Sequence, residues 1–135
     1  MEPISLITYT NSVMNDAWSI YFGQLDKHAG DFKSFVFSDV ESRDYSGHKF
    51  LKYSNQDPYY KQYLDCLSHV KEDFVIYMQE DFFLYDNVDV KKIQEYVDFL
   101  KKNDDYSFVR LIRCGYVEDT RTAKDIDNHV ETDLY

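Results

Sequence analysis

Two adjacent carboxylates, Glu80 and Asp81, come directly after an uninterrupted run of apolar and aromatic residues at 74–78. A run of this length without alternation is typical of a strand that is buried on both faces, as in a parallel sheet. An unpaired carboxylate is costly to bury, so we expect both acids to lie outside the core and to meet a cation. Carboxylate oxygens suit a divalent metal ion, and they equally suit the side chain of an arginine or lysine.

The plainer interpretation is that Glu80 and Asp81 cap a loop or pair with Arg110 or Arg113 at the surface. Their position favours a binding site, because ligands of open α/β sheets bind outside the carboxyl ends of the strands. The abrupt change from apolar to acidic residues puts this pair at such an end. On the residues alone, both interpretations stand.

The first forty residues predict a strand, a helix and a second strand. Residues 4–9 and 32–38 are rich in β-branched and aromatic side chains, as strands are. Gly30 follows the helix and is expected to adopt the left-handed conformation of a helix cap. The helix is predicted from apolar residues that recur on one face, namely Met14, Trp18, Tyr21, Phe22 and Leu25.

A strand, a helix and a strand within about 35 residues form a βαβ unit, in which the two strands run parallel. The carboxyl ends of parallel strands meet at one edge of the sheet. We therefore expect the turn at Thr10 and Asn11, and Asp39 after the second strand, to face the same edge as Glu80 and Asp81. Taken alone, Asp39 is better explained as a turn residue that ends a strand, so the expectation depends on the whole set.

The segment before the acidic pair predicts one more strand and one more helix. A short third strand is expected at 49–53, and the helix is predicted to begin with Asp57 as its N-cap and Pro58 at its first position. Apolar residues at helical spacing define its predicted buried face, namely Tyr60, Tyr63, Leu64, Leu67 and Val70.

Beyond the acidic pair, a third amphipathic helix and a further strand are predicted. The helix ends at Lys101 and Lys102, where positive charge is favourable, and the strand covers residues 106–113. The helix is predicted from its apolar face, namely Val90, Ile93, Tyr96, Val97 and Leu100. We therefore interpret residues 1–114 as one α/β domain and residues 115–135 as a polar tail.

Charge and hydropathy limit the partners of this chain. A formal net charge of −10 works against a nucleic-acid backbone or an anionic membrane surface as the main partner. No stretch has the length of a membrane span, and the amino terminus lacks the regions of a signal peptide, so we expect a cytoplasmic protein. Cys66 and Cys114 form no CxxC pair and are interpreted as reduced, packed thiols.

Three segments together resemble the GT-A type of glycosyltransferase, in particular the half that binds a nucleotide-diphosphate sugar. The opening strand and loop, residues 4–11, resemble the first strand and nucleotide loop of that family. Phe37, Ser38 and Asp39 are similar to the end of its second strand, and residues 77–84 resemble the strand that ends in its DxD-like metal motif. The motif here is Gln79-Glu80-Asp81, in which Asp81 matches the last acid.

The resemblance implies a three-layer α/β/α sandwich with a mainly parallel, Rossmann-like sheet. It also implies that Glu80 and Asp81 orient a divalent metal, Mn²⁺ or Mg²⁺, on the diphosphate of a nucleotide sugar, whose sugar passes to an acceptor hydroxyl. The nucleoside would be held by the first loop and the second strand's end, namely Thr8, Tyr9, Thr10, Asn11 and Asp39. The tail at 115–135 has little room for an acceptor-binding half, so it would be only the start of one.

Two other classes of protein are compatible with the same residues. A non-catalytic binding or interaction module derived from such a domain would fold in the same way and could form a homo-oligomer. A receiver-like signalling domain would suit the length of the chain. That class needs an acidic pair after its first strand, where this chain has Thr10, Asn11 and Ser12, so the prediction places it last.

Overall fold

The computed structural model describes residues 1–111, 124–126 and 129–131. The chain divides into two compact units, Met1–Asp89 and Val90–Tyr135. We call them the amino-terminal unit and the carboxy-terminal unit. The domain boundary that the sequence predicts after residue 114 lies outside the described residues.

The amino-terminal unit is built on a four-stranded sheet. Its strands are β1 (Ile4–Tyr9), β2 (Lys33–Ser38), β3 (Lys49–Lys52) and β4 (Phe74–Gln79), and all neighbouring pairs are parallel. The strand order is β3-β2-β1-β4. This confirms the predicted α/β class with a parallel sheet. The chain moves from β1 outward to β3 and then crosses to the other side of β1, so the strand order reverses between β1 and β4.

The register of the sheet brings three strand ends to one level. Tyr9, the last residue of β1, pairs with Phe37 of β2 on one side and with Gln79 of β4 on the other. The residues that follow each strand therefore leave the sheet side by side at its carboxyl edge, as the sequence predicts.

The first helix, α1 (Trp18–His28), lies between β1 and β2 in the chain. Its buried residues are Trp18, Tyr21, Phe22 and Leu25, which confirms that part of the predicted stripe. Met14 is 41% exposed and belongs to a separate 3-10 turn, Ser12–Met14, so its place in the stripe is wrong. The turn forms before the helix because the side chain of Asn11 accepts a hydrogen bond from the Val13 amide.

The predicted left-handed cap at Gly30 is also wrong. The helix ends through Ala29, whose amide donates to the Leu25 carbonyl, and Gly30 has no left-handed backbone angle. A Cβ atom at Gly30 would lie 3.1 Å from the carbonyl oxygen of Asp26. Glycine is therefore favoured at this position by the close approach of the Asp26 backbone and not by a left-handed backbone conformation.

The second helix, α2 (Tyr59–Leu67), starts differently from the prediction. Pro58 occupies the N-cap position and makes no side-chain cap, so the predicted cap at Asp57 is wrong. Asp57 instead lies 3.0 Å from the ammonium of Lys61. The extended backbone that precedes the helix belongs to Pro58 itself, which moves the helix start one residue along the chain.

The buried face of α2 is only partly the predicted one. Tyr63, Leu67 and Val70 pack against the core as expected, whereas Tyr60 and Leu64 are 67% and 57% exposed. The buried residues of this helix are instead Gln62 and Cys66. Burying Gln62 is tolerated because Tyr9 donates to its amide oxygen and its amide nitrogen donates to the carbonyls of Ser54 and Asp57.

The two helices cover opposite faces of the sheet. Neighbouring side chains of a strand point to opposite faces. Thr8 of β1 contacts Tyr21 of α1, whereas Tyr9 contacts Tyr59 and Gln62 of α2. One core cluster on the α2 face contains Ile7, Phe35, Phe37, Tyr53 and Cys66.

Strand β4 is less buried than its sequence predicts. Among the described residues it pairs only with β1, and Tyr77 at its centre is 41% exposed. The prediction of a strand buried on both faces is therefore wrong, although the strand itself and its bounds are as expected. An apolar run does not distinguish an inner strand from a strand at the sheet's edge.

The carboxy-terminal unit contains helix α3 (Val90–Lys102) and a short antiparallel hairpin, β5 (Lys124–Ile126) and β6 (His129–Glu131). The helix ends at the predicted lysine pair, and Ile93 and Val97 are buried as predicted. Residues 106–111 form no strand, which corrects that prediction, and residues 112–113 lie outside the described residues. In the described part of the chain, no helix is both long and apolar enough to cross a membrane.

Candidate functional site at the carboxyl edge of the sheet

Loops from three neighbouring strands form a hydrogen-bonded group, which we call the polar cluster. It consists of Asn11, Ser12, Asp39, Tyr53 and Asn55, which follow the ends of β1, β2 and β3. Each of these residues bonds to at least one other member through its side chain. The cluster therefore ties three separate loops into one polar surface at the carboxyl edge.

Asp39 is the acceptor at the centre of this cluster. Its Oδ1 atom accepts from the Ser12 amide at 2.7 Å and from the Ser38 hydroxyl at 3.3 Å. Its Oδ2 atom accepts from the Ser12 hydroxyl at 2.6 Å and from the Asn55 amide at 3.2 Å. A carboxylate offers about four acceptor positions, so all of them are occupied. A ligand that binds Asp39 must displace one of these donors, and the longer bond to exposed Asn55 is the weakest of the three that reach it from other loops.

The same donors set the charge of Asp39. Burial by itself would raise the pKa of this carboxyl group, but hydrogen bonds from Ser12 and Asn55 outweigh it and lower the pKa below the usual value. Asp39 is therefore ionised at neutral pH, and its charge is balanced by neutral donors.

Asn11 connects the first loop to the third. Its Oδ1 atom caps the Ser12–Met14 turn. Its Nδ2 atom donates both to the Tyr53 hydroxyl at 3.1 Å and to the side-chain oxygen, Oδ1, of Asn55 at 2.9 Å. All the hydrogen-bonding atoms of this side chain therefore have partners, and its orientation is fixed.

The other predicted nucleoside-binding residues lie below the edge. Thr8 is completely buried and shares a hydrogen bond of 2.8 Å with the Tyr21 hydroxyl. Thr10 is 2% exposed, and its hydroxyl accepts from the Trp18 indole. Tyr9 is partly buried. These three side chains support the loop from inside the unit. Of the predicted nucleoside-binding residues, Asn11 bonds to Tyr53 and Asn55, and Asp39 lines an open cleft beside them.

The acidic pair lies on the other side of the β1 loop. Asp81 is exposed as expected, but Glu80 is only 9% exposed, so the expectation that both acids lie outside the core is wrong for Glu80. Burial raises the pKa of Tyr21, and the charges of Glu80 and Asp81 raise it further. Both carboxylates are therefore close enough to this phenol of α1 to affect its charge.

Neither acid has a partner among the described residues. No described side chain forms an ion pair or hydrogen bond with Glu80 or Asp81, including the predicted alternative partner Arg110. Arg113 lies outside the described residues. No group of three or more metal-ligating side chains occurs in the part of the chain that the structure describes. The pair alone offers two carboxylates to an external cation.

Sequence reasoning missed three members of the polar cluster: Ser12, Tyr53 and Asn55. Tyr53 and Asn55 line an open cleft of about 550 Å³, whose other lining residues are also polar or charged. The signal was available, because polar residues after the third parallel strand must reach the same edge as Asp39. The lining residues are Asp39, Lys52, Tyr53, Ser54, Asn55 and Gln56.

Comparisons with known proteins do not assign this site. No family model, no curated protein and no solved structure matches the chain.

Proposed function

We propose that the amino-terminal unit binds a nucleotide-diphosphate sugar at the carboxyl edge of its sheet and transfers the sugar to an acceptor hydroxyl. The observation that carries the proposal is the reversal of strand order between β1 and β4. Ligands of open α/β sheets bind at such a reversal, outside the carboxyl ends of the strands. Here that edge carries the polar cluster on one side of the β1 loop and the acidic pair on the other.

The two groups of residues suit different parts of the ligand. The polar cluster offers the exposed amide of Asn55, which has a free donor and a free acceptor position that match the hydrogen-bonding groups of a nucleoside. Glu80 and Asp81 repel a diphosphate directly, so they would contact it through a divalent cation, Mn²⁺ or Mg²⁺, to which the phosphate oxygens contribute the remaining ligands. The net charge of −10 disfavours the approach of an anionic ligand, and a bound cation would offset that repulsion locally.

The proposed reaction is a substitution at the anomeric carbon of the sugar. The bond from that carbon to the diphosphate oxygen breaks and its electron pair stays with the diphosphate, while the acceptor oxygen forms the new bond and its proton passes to a base. A bound cation would neutralise the charge that grows on the leaving diphosphate. The described residues suggest no base, and we assign none.

Calorimetric titration of UDP-, GDP- and ADP-linked sugars, with and without Mn²⁺, tests the proposal. We expect at least one of them to bind only with Mn²⁺, and Asp81→Ala to weaken that binding by about tenfold or more, as the loss of a charge-assisted contact does.

The matched control is Asp73→Ala, an exposed aspartate at the opposite end of the same strand. This variant should bind as the wild type does. Absence of binding for every nucleotide sugar, or equal affinity in Asp81→Ala and wild type, overturns the proposal.

A second candidate function is a non-catalytic binding or interaction module. It is favoured by the full occupancy of the Asp39 acceptor positions and by the absence of a three-ligand metal group among the described residues. It predicts no transfer or hydrolysis of any nucleotide sugar, together with a stable homo-oligomer. A product assay combined with light scattering separates the two functions.

A further inference from the structure

Tyr53 occupies a central position at the carboxyl edge. It follows β3, its amide donates to the Ser38 carbonyl at 2.9 Å, and its side chain is only 5% exposed. Its ring stacks on that of Tyr9 with centroids 5.4 Å apart and planes 9° apart. Backbone pairing on one side and ring stacking on the other therefore hold the phenol in one orientation.

The hydroxyl of Tyr53 bonds to two consecutive residues of the β1 loop. It donates to the backbone carbonyl oxygen of Thr10 at 2.7 Å and accepts from the side-chain nitrogen, Nδ2, of Asn11 at 3.1 Å. Burial raises the pKa of this phenol well above its usual value, so the hydroxyl keeps its proton and remains a donor. One side chain thus satisfies the backbone of the loop and orients its asparagine.

Asn11 in turn orients Asn55, which lines the cleft. The side-chain nitrogen of Asn11 donates to the side-chain oxygen of Asn55, and the side-chain nitrogen of Asn55 in turn donates to the carboxylate of Asp39. Asn55 is exposed and lines the cleft, and each of its polar atoms has one internal partner. Its second amide hydrogen and a second acceptor position on its oxygen therefore remain for a ligand.

We infer that Tyr53 is a positioning residue: its hydroxyl holds Thr10 and Asn11 so that the amide of Asn55 faces the cleft in the orientation that binds the nucleoside. The inference depends on the proposed function and adds to it a specific contact, the Asn55 amide with a hydrogen-bonding edge of the base. Tyr53 lines the cleft, but its hydroxyl is already bonded to Thr10 and Asn11, so the hydroxyl acts on the ligand through Asn11 and Asn55.

The test is Tyr53→Phe, which keeps the ring, its stacking and its packing and removes only the hydroxyl. The probes are UDP, GDP and ADP, each with Mn²⁺, in calorimetric titration. We expect the Kd of the nucleotide that binds wild type to rise about tenfold in Tyr53→Phe, as the loss of a preorganised contact does. We also expect faster amide hydrogen exchange in residues 10–14, with the rest of the sheet unchanged.

The control is Ser34→Ala. This change also removes a hydroxyl that links two segments of the unit, but it does so near the beginning of β2, where the hydroxyl lies 2.7 Å from Nδ1 of the buried His48. We expect it to lower the melting temperature while leaving nucleotide affinity within about twofold, because the β1 loop keeps its contacts. A merely structural role of Tyr53 would make the two variants alike in affinity.

The outcomes separate the inference from the proposed function. Binding by wild type that is equally strong in Tyr53→Phe overturns the inference and leaves the proposed function standing. A rise in Kd of the same size in Tyr53→Phe and Ser34→Ala also overturns it. Absence of binding in wild type overturns the proposed function and the inference together.

Discussion

The polar cluster and the acidic pair lie on either side of the same β1 loop, but their carboxylates are satisfied in opposite ways. Asp39 accepts four hydrogen bonds from within the unit, whereas Glu80 and Asp81 have no partner among the described residues. A fully bonded carboxylate stabilises the loops around it, and an unpaired one retains its attraction for an external cation. The comparison therefore indicates a structural role for Asp39 and supports the proposed role of Asp81 in binding a cation.

The largest expected effect follows from removing the acceptor at the centre of the cluster. Asp39→Ala leaves the amide and hydroxyl of Ser12 and the amide of Asn55 without their partner. We expect the free energy of unfolding to fall by about 2 kcal/mol. Urea denaturation measures it. A loss below about 0.5 kcal/mol, the range of ordinary surface changes, would contradict the structural role of Asp39.

A smaller effect is expected in the pH dependence of stability. The lowered pKa of Asp39 in the folded state means that its contribution is fully present above the usual value of 3.8 and is lost as the pH falls toward the lowered value. We expect Asp39→Asn to reduce the slope of unfolding free energy against pH below about pH 4. Denaturation at several acidic pH values checks this, with Asp73→Asn as the control that keeps the wild-type slope.

His48 provides an independent pH effect away from the edge. Burial lowers its pKa, although Asp26, with its Oδ1 atom 3.1 Å from Nε2, raises it in part. The folded state therefore binds its proton less readily than the unfolded state does, so stability falls as the pH drops through 6.5, the usual value. Replacing His48 with Gln should flatten the melting-temperature profile between pH 7 and about pH 5.

The smallest effect is expected at the acidic pair. Asp81→Asn removes one of two adjacent like charges at an exposed position. We expect the free energy of unfolding to rise by about 0.5 kcal/mol or less at low ionic strength and the difference to vanish in high salt, because salt screens exposed charges. Melting curves at two salt concentrations measure this. A clear loss of stability in this variant would give Asp81 the same structural role as Asp39.

Local sequence patterns predict most of the helices and strands, but they do not predict which face of each helix is buried. The strands at Ile4–Tyr9 and Phe74–Gln79 have the predicted bounds because their apolar runs end in polar residues. Helix α2 shows the difficulty: apolar side chains occur on more than one side, and contacts with Tyr9 and the loop carbonyls select Gln62 for burial. Such contacts come from residues distant in sequence, which no helical period records.

The candidate site shows the same division. Parallel strands alone predict that Asn11, Asp39 and Asp81 approach one edge, because topology fixes which ends meet. The saturation of Asp39 and the burial of Glu80 depend on where individual donors and rings lie. The sequence predicts Tyr53 only as part of a short strand, since a tyrosine gives no local sign that its hydroxyl will reach a loop more than forty positions earlier.

The pairing of β1 with β4 has a consequence for synthesis of the chain. The first strand lies between two neighbours, and one of them, which begins at Phe74, emerges from the ribosome long after Ile4 has done so. Until then one side of β1 exposes unpaired backbone N–H and C=O groups, which can pair with the backbone of other nascent chains. Fragments that stop short of residue 74 should therefore precipitate, and chaperone dependence should end once the fourth strand is available.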